Sequence, residues 1–307
     1  MQMQNVYVVD PYNIGSNAQM QPVIIPQTQV PGVAMPVVAS PIGPQFAGIQ
    51  YVYVQDPLTE LENCNGAIIR QQPEIAELLT GCEMANRYYV FGDTSQGLKY
   101  LFKCNERSGW CERNCCPSNI REFNMDIMHV TNNGIQNMTK KFANAFKPFK
   151  CPCFCCNRPE IFVNVGDQST PIGKVKHIFT LCDPEFEIFE ANGNLKYFVH
   201  ADCCQCGLLC ANNFCGKLSP ANFNIISAGS NNIVGSISKM PAQSYSEMIT
   251  DADSYRVSFP QGASAYDKLL LIALGLLIDY QYFETDGGNT NQNRGGYHYG
   301  YRYRFGY

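Results

Sequence analysis

Leu269-Leu270-Leu271-Ile272-Ala273-Leu274-Gly275-Leu276-Leu277-Ile278 is the most apolar stretch of the chain, bracketed by Lys268 and Asp279, and its placement decides the fold. Ser264 and Asp267 stand just before it at capping-box spacing, where each side chain satisfies the other's backbone N–H, so a helix is expected to start there. A helix apolar on every face must be buried in protein or in lipid. These ten residues rise about 15 Å, roughly half of a bilayer's hydrocarbon thickness. Tyr280, Tyr282 and Phe283 prolong the run only beyond the Asp279 charge. Length thus favours a helix enclosed by a sheet over one that spans a membrane. Lys268, Leu269, Leu274, Ile278 and Asp279 mark the segment in either case.

Working outward, short alternating runs flank turn signals. Tyr88 to Phe91 and Leu98 to Phe102 surround Asp93 to Gly97, and Phe186 to Phe189 and Leu195 to Val199 flank Asn192-Gly193. Phe123, Met125 and Ile127 precede Asn132-Asn133-Gly134. These are hairpins, with Asn-Gly supplying the left-handed turn conformations. Ile172 to Lys176 followed by Phe186-Glu187-Ile188 looks like Val234 to Ser238 followed by Tyr255-Arg256-Val257, an internal duplication of a strand unit. The pattern is mainly β and fits one closed or wrapped antiparallel sheet better than a parallel α/β fold. One early helix is predicted at Pro73 to Leu79, where Ile75, Leu78 and Leu79 share a face.

Both ends read as unfit for folding. Residues 1–57 are rich in Gln, Pro and Val, a flexible arm whose Pro41-Ile42-Gly43-Pro44 has the PxxP spacing of an SH3-type ligand without a flanking basic residue. Residues 286–307 interleave Gly, Tyr and Arg, a pattern read as disorder or weak self-association ahead of RNA binding. One domain, 58–285, is expected between them.

A formal net charge of −4 over 307 residues argues against nucleic acid as a partner held by global electrostatics. Sixteen cysteines would suggest a disulfide scaffold in a small secreted chain. No basic n-region followed by an apolar h-region opens the sequence, which points to a reducing compartment, where clustered thiols bind metal or carry acyl chains. There is no Gly-rich phosphate loop, HExxH or GxSxG, and His129, His177, His200 and His298 are isolated, so an enzyme is not expected.

Ile68-Ile69-Arg70-Gln71-Gln72, Leu78-Leu79-Thr80-Gly81-Cys82-Glu83, Arg113-Asn114-Cys115-Cys116, the cysteines at 151–156, Asp251-Ala252-Asp253 and Leu277-Ile278-Asp279-Tyr280 follow one another in an order that resembles the phospholipid scramblases. The resemblance implies a tubby-like closed antiparallel barrel of about twelve strands around a central C-terminal apolar helix. It also implies calcium-dependent, ATP-independent scrambling of phospholipids between leaflets, at the cytoplasmic side of the plasma membrane or another cellular membrane. The alternative is a lipid-anchored interaction module without transport. The basic segment that some relatives use for nuclear import would fall near Gly235 to Ser244, where only Lys239 is basic.

Cys151-Pro152-Cys153-Phe154-Cys155-Cys156 matches the place where family members are palmitoylated, which makes Cys151, Cys153, Cys155 and Cys156 the acylation candidates. Two or more acyl chains, at about 0.8 kcal/mol per buried methylene, hold a protein firmly where one does not. Lys140, Lys141, Lys147 and Lys150 could add attraction to anionic lipid, and Phe142, Phe146, Phe149 and Phe154 could dip into the interface. The alternative for these thiols is a zinc knot shared with Cys203, Cys204, Cys206 and Cys210. The family's calcium loop maps onto Asp251 to Gly262. Asp251 and Asp253 occupy the first and third positions, but Arg256 stands where an EF-hand wants Gly and Gly262 where it wants a bidentate acid. Weak calcium binding and a plain turn entering a strand both remain open readings.

Overall fold

The computed structural model describes residues 56–72, 84–116, 118–132, 137–150, 156–211, 214–242 and 253–284, together with three short strands before them at Asn5–Val8, Val23–Ile24 and Tyr51–Val52. The predicted helix at 73–79 lies outside the described residues, as do Cys151, Cys153, Cys155 and Asp251.

Twelve strands form the closed antiparallel barrel expected from the sequence. They are β1 Gly66–Gln71, β2 Arg87–Thr94, β3 Gly97–Arg107, β4 Phe123–Asn132, β5 Asn137–Lys147, β6 Glu160–Val165, β7 Gly173–His177, β8 Glu185–Glu190, β9 Leu195–His200, β10 Ala221–Ser227, β11 Ile233–Met240 and β12 Ser254–Ser258. Each pairs with its neighbours in sequence, and β12 closes on β1 through Tyr255 opposite Ile69. The hairpins at Asp93–Gly97 and Asn192–Gly193 form as predicted, and Gly193 adopts a φ of +83°, which its missing Cβ permits. The two look-alike stretches pair in the same way, β7 with β8 and β11 with β12.

The helices are α1 Pro57–Glu62, α2 Trp110–Cys115, α3 Cys206–Leu209, α4 Phe214–Lys217 and α5 Ala265–Ile278. The apolar helix α5 runs inside the barrel: Leu269, Leu271, Ile272, Leu274, Leu276 and Leu277 are fully buried. Inward residues of the strands, among them Ile69, Ile161, Val163, Val175 and Val257, join it in one core. Each fully buried Leu or Ile contributes about 1.5–3 kcal/mol. The predicted capping box is present, with Asp267 N–H donating to Ser264 Oγ at 3.2 Å and Ser264 N–H to Asp267 Oδ2 at 2.8 Å. Gly275 sits where α5 touches β1, since a Cβ there would come within 2.7 Å of Ile69 Cδ1.

The charges that bracket the apolar run explain why it belongs in protein. Lys268 Nζ donates to the carbonyls of Leu61, Glu62 and Cys64 at 3.4, 2.7 and 3.0 Å, a cation on the C-terminal end of α1. Asp279 accepts from the Tyr88 and Tyr255 hydroxyls at 2.5 and 2.6 Å. Buried charges are tolerated when hydrogen-bonded in this way. Among the described residues no helix is long and apolar enough to cross a membrane.

Candidate functional site

A meander barrel has two unlike ends, because alternate connections fall at the same one. At one end β2–β3, β6–β7, β8–β9 and β10–β11 join by short turns. At the other lie the connections β1–β2, β3–β4, β5–β6, β7–β8, β9–β10 and β11–β12, all but β7–β8 longer than any of those four, and in sequence fourteen of the sixteen cysteines fall in them. The other two, Cys64 and Cys104, are buried, and burial pushes the Cys104 thiol up to about 12. Cys111, Cys115, Cys156, Cys204 and Cys206 are exposed at the cysteine end. Met84, Trp110, Phe149, Leu181, Leu209 and Leu218 are exposed there too, with Trp110 57% and Leu181 80% accessible. Exposed Leu98, Ile233 and Tyr266 lie toward the turn end.

Beneath the exposed rim the end of α5 closes the barrel with polar contacts. After Ile278 the helix widens into a π-turn, Asp279–Phe283. Glu284 Oε1 accepts from Asn86 Nδ2 at 2.6 Å and from Arg121 at 3.0 Å, and Arg121 also meets Glu106 at 3.4 Å. The fully buried guanidinium lies 5.3 Å from the centre of the Tyr280 ring. Gln281 donates to the Asn119 carbonyl and Tyr282 contacts His177 Nε2, each at 2.8 Å. The β1–β2 and β3–β4 connections are therefore pinned to the end of the enclosed helix.

The sequence-predicted residues divide. Cys156 is exposed and its three companions lie outside the described residues. Lys147 does not face outward: strand alternation turns it into the barrel, where it donates to the Arg121 carbonyl, and burial together with Arg121 pulls its pKa down to about 7. Phe142 is also a core residue, its ring stacked on Phe102 at 4.9 Å, whereas Phe149 is 54% exposed. Lys150 pairs with Glu160, and Lys141 with Asp126 at 2.6 Å.

Asp253 is committed to Lys239, whose Nζ stands 3.1 Å from Oδ1 and 4.4 Å from the centre of the Phe283 ring. Burial raises the Asp253 pKa to about 7 against the pull of Lys239. Residues 254–258 of the calcium-loop span are β12, paired on both sides, so the span cannot wrap an ion as an EF-hand loop does. Lys239, the lone basic residue of the import segment, is buried by the same pair.

Of the zinc candidates Cys203, Cys204, Cys206 and Cys210, Cys203 is bonded to Cys182 in a disulfide, from a connection that sequence spacing does not link to it, while Cys204 and Cys206 are exposed. His129, His177 and His200 each have a structural neighbour, Glu60 at 3.3 Å, Arg158 at 3.1 Å and Glu185 at 3.2 Å.

The Scramblase family profile matches residues 47–285, more than three quarters of the sequence. The chain belongs to the scramblase family. It is similar to phospholipid scramblase 1 of Homo sapiens, 30% identical over 240 residues, which are 77% of this chain and 68% of that protein. Phospholipid scramblase 2 of Bos taurus is 28% identical, covering 85% and 78%, and phospholipid scramblase family member 5 of Homo sapiens is 23% identical, covering 89% and 86%. The chain spans about two thirds of the scramblase 1 relatives' length. No solved structure matches it.

Proposed function

We propose that this chain moves phospholipids between leaflets at the cytoplasmic side of a cellular membrane, the plasma membrane first among them, without ATP. The activity is the one that its relatives' names state. The observation that carries the reading is the segregation of acylable cysteines and exposed Trp110, Phe149, Leu181 and Leu209 to one end of the barrel. That end faces the bilayer, held by acyl chains on Cys151, Cys153, Cys155 and Cys156, and its aromatic side chains sit among the headgroups. With α5 enclosed, headgroups cross where the inserted rim disturbs lipid packing rather than along a spanning helix. Calcium enters as a weak trigger: an ion near Asp251 and Asp253 would compete with Lys239 for a carboxylate and draw its other oxygens from lipid phosphate.

A second reading, an acyl-anchored module without transport, is favoured by one observation. The only strongly apolar helix among the described residues is spent inside the barrel. Reconstitution separates the two. Purified protein in liposomes carrying labelled lipid should let a membrane-impermeant quencher reach inner-leaflet label when calcium is added. Accessibility equal to that of empty liposomes across millimolar calcium leaves the anchored module.

A further inference from the structure

The two connections that carry Cys182 and Cys203 meet at one corner of the cysteine end. Ala201 N–H donates to the Pro184 carbonyl at 3.0 Å and Cys203 N–H to Asp183 Oδ1 at 2.9 Å, so backbone contacts fix the β7–β8 connection against the β9–β10 connection. The donor atoms of Cys182, Asp183 and Cys203 all lie within 4.8 Å of one another, as do those of Asp202, Cys203 and Cys204. Cys203 is common to both groups. Its sulfur lies 4.0 Å from that of Cys204, close to the spacing of about 3.8 Å that two thiolates take around a tetrahedral zinc ion with bonds of about 2.3 Å.

From this geometry we propose that Cys182, Asp183, Cys203 and Cys204 form a zinc site, two ligands from each connection, that is available only when the Cys182–Cys203 disulfide is reduced. The outer groups suit such a site. One Asp183 oxygen accepts from the Cys203 N–H at 2.9 Å, so the carboxylate is hydrogen-bonded as ligating carboxylates are, and the other lies 4.0 Å from His200 Nε2. The Cys204 N–H is likewise tied to Asp202 Oδ1 at 2.8 Å, which holds the vicinal cysteines in a fixed turn.

The switch balances. A dithiol reductant gives two electrons and two protons to the Cys182–Cys203 bond and is itself oxidised to a disulfide. The two thiols so formed, and that of Cys204, release their protons as sulfur binds the metal. In the oxidised form two of the four ligands are joined to each other and the ion has no site. The site lies outside the acyl cluster and does not use Cys206 or Cys210. It gives the end that we place against lipid a structural response to thiol redox state, and it stands whether or not lipid transport does.

Cobalt titration tests this, in the full chain with Cys151, Cys153, Cys155 and Cys156 replaced by Ser so that those thiols are silent. After reduction by a phosphine, one cobalt per chain should bind with a thiolate-to-metal charge-transfer band and tetrahedral visible bands, and zinc should displace it. Unreduced protein should show neither. Cys203→Ser and Cys182→Ser should each weaken binding by more than about a hundredfold, beyond the ten- to hundredfold that an outer-shell partner costs. Asp183→Asn, which leaves every thiol in place, should weaken it as well, and Cys206→Ser with Cys210→Ser should change nothing. Failure of reduced protein to take up cobalt, binding that survives Cys203→Ser in a chain folded by circular dichroism, or binding abolished by the Cys206 and Cys210 changes would each overturn the assignment.

Discussion

The Tyr255 hydroxyl, on the strand that closes the barrel, donates to Asp279 Oδ1 at 2.6 Å, while Tyr88 from the second strand takes Oδ2 at 2.5 Å. One carboxylate at the end of the enclosed helix thus ties it to two strands on either side of β1. Removing one hydroxyl leaves a buried charge short of a donor. Tyr255→Phe and Tyr88→Phe should each lower unfolding free energy by about 1.5–3 kcal/mol, the range for hydrogen bonds to charged groups. In a double-mutant cycle with Asp279→Asn by urea denaturation, the tyrosine changes should lose most of their effect; full additivity would show that the carboxylate is not their shared partner.

Leu274 has no exposed surface and sits at the middle of the helix. Leu274→Ala should cost about 2–5 kcal/mol through the cavity that it leaves, and Leu274→Asp should prevent folding, because it would bury a carboxylate in the apolar core that the described residues form around the helix. A Leu274→Asp protein that is folded by circular dichroism and merely leaves the membrane would mean that the segment is an anchor.

His177 is buried against Arg158, Phe186 and Tyr282, and burial first, then Arg158, drives its pKa well below the ordinary value. The native state refuses a proton that the unfolded chain accepts below about pH 6.5. Stability is therefore full above that pH and falls as pH drops through it, by up to about 1.4 kcal/mol per unit. Urea midpoints between pH 7 and 5 should show this slope, and His177→Gln should flatten it. Lys147 has the same sign in another window: with its pKa lowered to about 7, stability should rise as pH goes from 7 toward 10.5.

Replacing Cys151, Cys153, Cys155 and Cys156 together by Ser should move most of the protein to the soluble fraction. Lys147 is inside the barrel and Lys141 and Lys150 are paired, so less basic attraction remains than four lysines would supply. Hydroxylamine, which cleaves thioesters, should release the wild type likewise. Retention of the quadruple variant through salt and carbonate would assign the anchor elsewhere.

Much of this fold is legible in the sequence because its signals are local. The Ser264–Asp267 capping box, the unbroken apolar run and the Asn192-Gly193 turn each need only a few neighbouring residues to be read. Helix α1 is signalled in the sequence only by Asp56 as N-cap and Pro57 in the first turn, too short a run for an apolar period to show. The site was less legible because its contacts are long-range. Tyr88 reaches Asp279 across 191 positions, and no spacing rule links Cys182 to Cys203. Lys147 illustrates a register problem: a bulge opposite Ile127 and Met128 shifts the inside–outside alternation of β5, so a lysine that reads as basic surface faces the core.

The claim that joins these observations is that the cysteine end of the barrel faces the bilayer, and the protein's single tryptophan, Trp110, reports on it directly. Protein carrying its acyl chains should be bound to vesicles whose lipids bear bromine near the headgroup, a short-range quencher of indole fluorescence. Trp110 emission should shift to the blue and be quenched, while a Leu98→Trp reporter at the turn end, in a Trp110→Phe background, should keep its emission in water and escape quenching. Quenching of the Leu98 position with Trp110 left untouched would contradict the account, because it would put the opposite end of the barrel on the membrane.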